Sequence, residues 1–425
     1  MRVLVVGGGA REGALAWKLA QSPALSALFI APGNPGTASW GSNIAIAVDD
    51  VAGLVEFARA QAIDLVVPGP EAPLALGLTD ALAAHHIACF GPSQAAAQLE
   101  TSKIFTKELC AVAQIPTAAW ARFTDLAQAQ AYIRARPAPI VVKADGLAAG
   151  KGVVVALSTE EALDAATAML ADRVHGAAGA EILVEDCLTG PEISFFALCD
   201  GETAIFAGMA QDHKRVGEGD TGPNTGGMGA IAPPPLDDPE RLIETVMARI
   251  IRPTLAAMAE RGMPFRGFLF AGLMLTQTGP QLIEFNARFG DPECETLLPL
   301  IEDDLLPWLV AGAHGALDPT KKLSWREGAS ATVILAAKGY PGAYARGAKI
   351  DLAQAAHLDA LLIFHAGTIE RNGVLQANGG RVLAVTATGA DLRTAIERAY
   401  RGVDAIDFPE GFSRRDIGAR ALNTR

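Results

Sequence analysis

Basic residues are in the minority: 35 lysines and arginines stand against 47 acids, a formal net charge of −12. That balance argues against non-specific binding to nucleic acid or acidic membranes and leaves room only for a local basic pocket. Cysteine is scarce as well. The five (Cys89, Cys110, Cys187, Cys199 and Cys294) are scattered, with no CxxC pair and no nearby histidine pairs. They read as reduced, mostly buried thiols of a cytosolic protein. No apolar run approaches the ~18 residues of a membrane span. The opening MRVLVVGGGAREG passes from a short apolar run straight into glycines, which is not the pattern of a signal peptide. No internal repeat is present. A cytoplasmic protein without membrane or nucleic-acid partners is expected.

Hydrophobic residues and glycine are plentiful: half of the chain is hydrophobic and 44 residues are glycine. This is a loop-rich globular composition, and 425 residues are too many for one ordinary core. The first hundred residues alternate strand and helix. RVLVV, LFIAP, IAIAV (44–48) and IDLVVPGP read as strands; EGALAWKLAQ, VAGLVEFARAQ and LTDALAAHHI read as helices. Repeated βα units predict a parallel sheet with helices on both faces, and a ligand crevice beyond the carboxyl ends of its strands. Three loops fall there: GGGAREG (7–13), PGNPG (32–36) and PGPEAPL (68–74). TSKIFTKELCAVAQ (101–114) reads as a capped helix. A smaller α/β piece follows over about 120–187. The section 190–325 holds four strands and a polar loop over 211–235 with six glycines within residues 217–229. The last hundred residues read as strands with one clear helix, ADLRTAIERAYRGV.

Four stretches carry chemistry. GGGAREG tempts one toward a dinucleotide fingerprint, but the third glycine position holds Glu12 and the acid expected about 20 residues on is missing. A glycine turn at a helix N-terminus remains, suited to a phosphate or needed only for packing. VVKADGLAAGKGVVV (141–155) is not a Walker motif. It is a strand with an inward Lys143, then a loop with Gly146, Gly150 and Lys151, able to fold over a triphosphate or to be a plain surface hairpin. AEILVEDCLTGPEISFF (180–196) is a strand running into a linker with Glu185 and Glu192. In IEFNARF (283–289) alternation puts Ile283, Phe285, Ala287 and Phe289 on one face, and Glu284, Asn286 and Arg288 on the other. That second face is either solvated or presents Glu284 and Asn286 to a hard cation, with Arg288 as an anion clamp. His213 reads as a loop histidine rather than a base.

Together these stretches resemble the ATP-grasp superfamily. GGGAREGALAWKL, APGNPGT, VVPGPEAPL, SKIFTK, VVKADGLAAGKGV, DHKRVGEGDTGPNTGGMGA and RFGDPE, with Glu295 just beyond, are similar in order to the phosphoribosylamine–glycine ligase family. The resemblance implies an N-terminal Rossmann-like substrate domain (1–102), an ATP-grasp domain (103–325) with a mobile lid (about 120–187) and a small C-terminal α/β domain (326–425). It implies a monomeric enzyme of purine synthesis that joins glycine to 5-phosphoribosylamine at the expense of ATP, with Mg2+ or Mn2+ on Glu284 and Asn286. By the same resemblance, Lys103, Lys143, Gly146, Gly150 and Lys151 serve the ATP phosphates, Glu185 and Leu188 the adenine linker, and Glu192 the ribose. Gly9, Arg11, Glu12, Glu71, Asp212, Lys214, Arg288 and Asp291 fall on the substrates, and Arg288, Asp291 and Lys143 carry the catalytic roles. The strand GFLFAGLMLT carries no carboxylate where many superfamily members have a metal ligand, so phosphate and water would complete the shell. Other ATP-grasp ligases such as biotin carboxylase, a nucleotide-binding regulator without turnover, and a dinucleotide oxidoreductase stand as rivals.

Overall fold

Val3 to Val6 are fully buried, as expected of a strand with neighbours on both edges and layers on both faces. The computed structural model, which describes residues 1–146, 152–174 and 176–423, places this run in β1 (Arg2–Gly7). The next elements are α1 (Ala10–Leu19), β2 (Ala27–Pro32), β3 (Ser42–Asn43), α2 (Val51–Ala60), β4 (Leu65–Pro68), α3 (Glu71–Ala75), α4 (Leu78–Ala83), β5 (Ala88–Cys89) and α5 (Gln98–Thr101). The strands pair in parallel in the order β3-β2-β1-β4-β5. Val3 and Val5 pack with α1, while Leu4 and Val6 pack with α2 and α4. The sheet is therefore covered on both faces, as the βα alternation predicts.

The strand expected at 44–48 does not form: only Ser42 and Asn43 pair with β2, and one further bond runs from Ile44 N to the Ile30 carbonyl at 2.8 Å. The next donor on β2 in a parallel ladder would be Pro32, which has no N–H, so the pairing stops there.

The chain then forms α6 (Lys103–Ala113), β6 (Trp120–Phe123), α7 (Leu126–Arg134), β7 (Ile140–Ala144), β8 (Val153–Ala156), α8 (Thr159–Leu170) and β9 (Ile182–Asp186). Ser102 starts α6 by accepting from Phe105 N at 3.0 Å. The four strands form an antiparallel sheet, β6-β9-β7-β8. Ile133, Ile140, Val142, Ala156, Met169 and Val184 give this piece a core of its own. A unit with its own core is able to move as a body.

Next come β10 (Glu192–Asp200), β11 (Ala204–Asp212), β12 (Arg215–Gly217), β13 (Thr221–Asn224), β14 (Gly229–Ala232), α9 (Pro239–Val246), α10 (Arg252–Glu260), β15 (Arg266–Thr276), β16 (Gly279–Asn286), α11 (Glu293–Leu297) and α12 (Leu305–His314). The last section holds β17 (Ala329–Ala337), β18 (Leu361–His365), β19 (Thr368–Arg371), β20 (Val374–Ala377), β21 (Arg381–Gly389), α13 (Leu392–Asp404), β22 (Gly411–Phe412) and α14 (Ala419–Asn423). One sheet crosses from the middle of the chain into this last section, in the order β16-β15-β10-β11-β14-β17-β21-β18, with β22 beside β17.

The bridge in that sheet is β14, which lies in the stretch expected to be a long polar loop. Residues 211–235 instead hold the end of β11, the hairpin β12–β13 and the fully buried β14. A Cβ on Gly229 would come within 2.6 Å of the Thr332 carbonyl, so glycine lets β14 lie close against β17.

Candidate active site

β16 brings the sequence's Glu-x-Asn pair to the site, with a local irregularity that alternation does not reveal. Leu282 pairs with Leu273 and Glu284 with Gly272, so Ile283 is an extra residue, a β-bulge. As a result Leu282 and Phe285 both enter the core, and Ile283 is only half-buried. This corrects the expected placement of Ile283 on the apolar face. Strand pairing ends at Asn286, so Arg288 and Phe289 lie in the turn that follows.

Cations drawn from separate segments act on the Glu284 carboxylate. Burial by itself would raise its pKa. Lys214, Lys143, Lys103 and Arg288 outweigh that and hold it below the usual range, so the group is a carboxylate. Burial pushes the Lys103 ammonium down, with Glu284 the chief group opposing that shift. Lys103 Nζ also donates to the Gly146 carbonyl at 3.0 Å, tying the start of α6 to the glycine loop after β7. Lys214, by contrast, is raised: burial opposes its charge, but Glu192, Glu284 and Asp212 more than compensate. Its ammonium contacts Glu192 directly.

Lys143, 4 % exposed, donates to Glu185 Oε2 at 3.0 Å and also lies 3.4 Å from the Ile283 carbonyl. Leu188 is half-buried in the linker that follows β9. Gly150 and Lys151 lie outside the described residues.

A second cluster joins the N-terminal domain to the turn after β16. Arg288 lies 3.3 Å from Glu100 and 3.6 Å from Glu71, and donates to Asn286 Oδ1 at 3.3 Å. Glu12 occupies the N-terminus of α1, where its Oε2 accepts from Gly9 N at 2.6 Å, and Arg11 pairs with its other oxygen at 2.7 Å. The residue that spoils the dinucleotide fingerprint thus caps the helix itself. Arg11 reaches on to the Phe289 carbonyl at 3.3 Å. Asp291 is paired with Arg381 at 3.0 Å, and the same guanidinium donates to the Gly226 carbonyl at 2.6 Å. Asp212, with one oxygen buried and unpartnered, is pushed well up by burial and by Glu293. His213 is spoken for: its Nδ1 lies 3.2 Å from the Gly229 carbonyl and its Nε2 accepts from Gly418 N at 3.1 Å, which makes it a structural link.

The chain has relatives along its whole length. Family profiles for phosphoribosylglycinamide synthetase match in order: the N domain over residues 1–100, the ATP-grasp (A) domain over 101–294 and the C domain over 330–420. The phosphoribosylamine–glycine ligase of Brucella melitensis is 55 % identical over 423 residues, covering 99 % of this chain and 98 % of that one. The chain belongs to the phosphoribosylamine–glycine ligase family.

The crystal structure of the Thermotoga maritima ligase superposes with a TM-score of 0.87 at 32 % identity, covering 98 % of this chain and all of that one. Biotin carboxylase of Campylobacter jejuni shares the fold, with a TM-score of 0.73 at 13 % identity, covering all of this chain and 95 % of that one. That likeness extends to the fold alone.

Several residues around these clusters were assigned no role from the sequence. Lys107, buried on α6, pairs with Glu185 at 2.9 Å. Glu100 accepts from Ala287 N at 2.8 Å and receives Arg288. Arg381 arrives from β21, 90 residues beyond Asp291. Glu295 is fully buried, with both oxygens unpartnered, and is pushed well up by burial and by Asp291. Lys107 is the one with a local signal, since it lies one helical turn from Lys103 and shares its face.

Proposed function

We infer that this chain joins glycine to 5-phosphoribosylamine, converting ATP to ADP and phosphate through a glycyl phosphate. The observation that carries this reading is the joint action of Lys103, Lys143, Lys214 and Arg288 on the Glu284 carboxylate, in a chain related to the ligases over its whole length. Such a gathering of cations about one carboxylate suits a polyphosphate bridged to the protein by a divalent cation.

The donor set fits that cation. Glu284 is ionised, Asn286 offers an amide oxygen, and no cluster of three or more His, Cys, Asp or Glu able to hold a metal exists among the described residues. Two protein oxygens, completed by phosphate and water, suit magnesium or manganese. When bound, the ion would neutralise charge on the transferring phosphoryl group.

The remaining work falls to the protein's own side chains. Lys103 and Lys143 neutralise phosphate oxygens, with Gly146, Gly150 and Lys151 as further partners of the phosphates. Glu185, Leu188 and Glu192 frame the adenosine. Arg288, Asp291, Asp212 and Lys214 serve the place where glycine and the phosphoribosyl substrate meet, the two cations holding the glycine carboxylate in line with the γ-phosphate and then the acyl phosphate against the incoming amine. Gly9, Arg11, Glu12 and Glu71 receive the phosphoribosyl part. Closure of the piece 120–187 excludes water that would hydrolyse the acyl phosphate. No enzyme nucleophile is required.

A monomer acting in the cytoplasm completes this reading. ADP release measured with both glycine and phosphoribosylamine, and with each omitted, tests it. Release that requires both supports ligation; release driven by bicarbonate, or none at all, overturns it.

A further inference from the structure

One buried cation near the nucleotide region has no part in the assignments above. Lys107, on α6, is 2 % exposed. Its Nζ lies 2.9 Å from Glu185 Oε2. It also donates to Thr117 Oγ1 at 2.7 Å, and that hydroxyl donates to the Leu282 carbonyl at 2.7 Å. Lys143 comes to the same carboxylate from β7, within 3.0 Å of both oxygens, though its approach to Oε1 is too poorly aligned for a hydrogen bond. Glu185 itself is 4 % exposed. One carboxylate therefore serves two ammonium groups where water contributes little.

The two lysines are not equivalent. Lys107 is fixed by a chain of hydrogen bonds that ends on the backbone of β16. Lys143 has a weaker second contact, 3.4 Å from the Ile283 carbonyl in the bulge, beside Glu284 in the chain, and is itself one of the cations that act on Glu284. Phosphates arriving there would recruit Lys143. If Lys143 were Glu185's sole partner, its departure would strand a buried carboxylate without a counter-charge.

We propose that Lys107 is a positioning residue that keeps Glu185 paired while Lys143 turns to the nucleotide's phosphates. This rests on the ATP reading above. In the free enzyme the carboxylate is shared. In the nucleotide complex Lys107 keeps it and Lys143 is on phosphate.

Calorimetric binding of ADP and a non-hydrolysable ATP analogue tests this on the full chain, with wild type, K107M and the double variant K107M/E185Q. K107M is expected to bind about tenfold more weakly, which is about 1.4 kcal/mol. Its KM for glycine should move by less than about threefold, because the effect is confined to the nucleotide step. Measured beside E185Q alone, the double variant should show little further loss, since the neutral amide that E185Q introduces needs no cation. Wild-type-like binding by K107M overturns the proposal. So does a double variant about tenfold weaker than E185Q alone, the result expected if Lys107 only supports the fold.

Should K107M fail to fold, a crystal of the wild type with the analogue decides. Lys143 on phosphate and Lys107 still on Glu185 supports the proposal; Lys143 still on Glu185 overturns it. A wild type that binds no nucleotide overturns the ATP reading and this inference together, whereas loss of the K107M effect alone overturns only the inference.

Discussion

Replacing Glu284 by alanine removes a carboxylate on which Lys214, Lys143, Lys103 and Arg288 all act. Two effects follow. A metal–phosphate complex held as proposed would lose its charged protein ligand. Lys103, already pushed down by burial, loses the largest influence that keeps it charged. Interactions with an ionised partner are worth about 1.5–3 kcal/mol, and preorganised electrostatic groups aimed at a transition state about 2.7–4 kcal/mol. A loss near 3 kcal/mol corresponds to roughly a hundredfold in kcat/KM. Asn286 carries no charge, and its oxygen already accepts from Arg288 at 3.3 Å. Asn286→Ala should therefore cost about 1 kcal/mol, roughly fivefold. The assay is ADP release against magnesium concentration, with far-UV circular dichroism to show that both variants fold. Because Lys103 deprotonates more readily without Glu284, the alkaline limb of the residual activity should also move to lower pH. The reasoning fails if Glu284→Ala stays within about threefold of wild type at limiting magnesium, or if Asn286→Ala is the more damaging change.

Arg414, 2 % exposed, binds Asp220 and Asp416 at 2.8 Å and the Arg215 carbonyl at 2.9 Å, strapping the β12–β13 hairpin to the C-terminal segment. Arg414→Leu should cost about 1–3 kcal/mol in the melt and speed hydrogen exchange over 213–225; unchanged exchange there would sink the strap. A Cβ at Gly69 would sit 1.8 Å from Glu12 Oε1, so Gly69→Ala should displace the α1 cap and destabilise by about 1–3 kcal/mol, read as a lower melting temperature. Burial lowers the pKa of His365 to about 4. The folded form binds its proton less readily than the unfolded chain, whose histidine titrates near 6.5. The stability this depressed group contributes is complete above about pH 6.5 and falls away as pH drops toward 4. His365→Gln should flatten the melting temperature over that window, and an unchanged slope would show that the acid sensitivity arises elsewhere.

Local pattern carried a large part of the architecture. The βα alternation of the first hundred residues, the glycine turn before α1, the strand holding Lys143 and the strand holding Glu284 and Asn286 are all set by near-neighbour periodicity, and all appear in the fold. Two errors came from pairing partners. IAIAV is a good strand by composition, yet its ladder ends at Pro32 on the neighbouring strand. The 211–235 stretch looked like a loop because Gly229–Ala232 is too short and too small to stand as a strand alone; β11 and β17 on either side make it one.

Most of the order of elements was legible in the sequence alone, as were the candidate side chains for phosphate and metal chemistry, because periodicity and residue type are properties of neighbours along the chain. Tertiary structure decided which charges meet. Lys143 and Glu185 lie 42 residues apart in the chain, and Arg381 lies 90 residues beyond Asp291. Their pairings, like the bulge at Ile283, follow from how sheets and loops pack. Charges brought together in a dry interior acquire a strength, and a demand for partners, that they do not have along an extended chain in water.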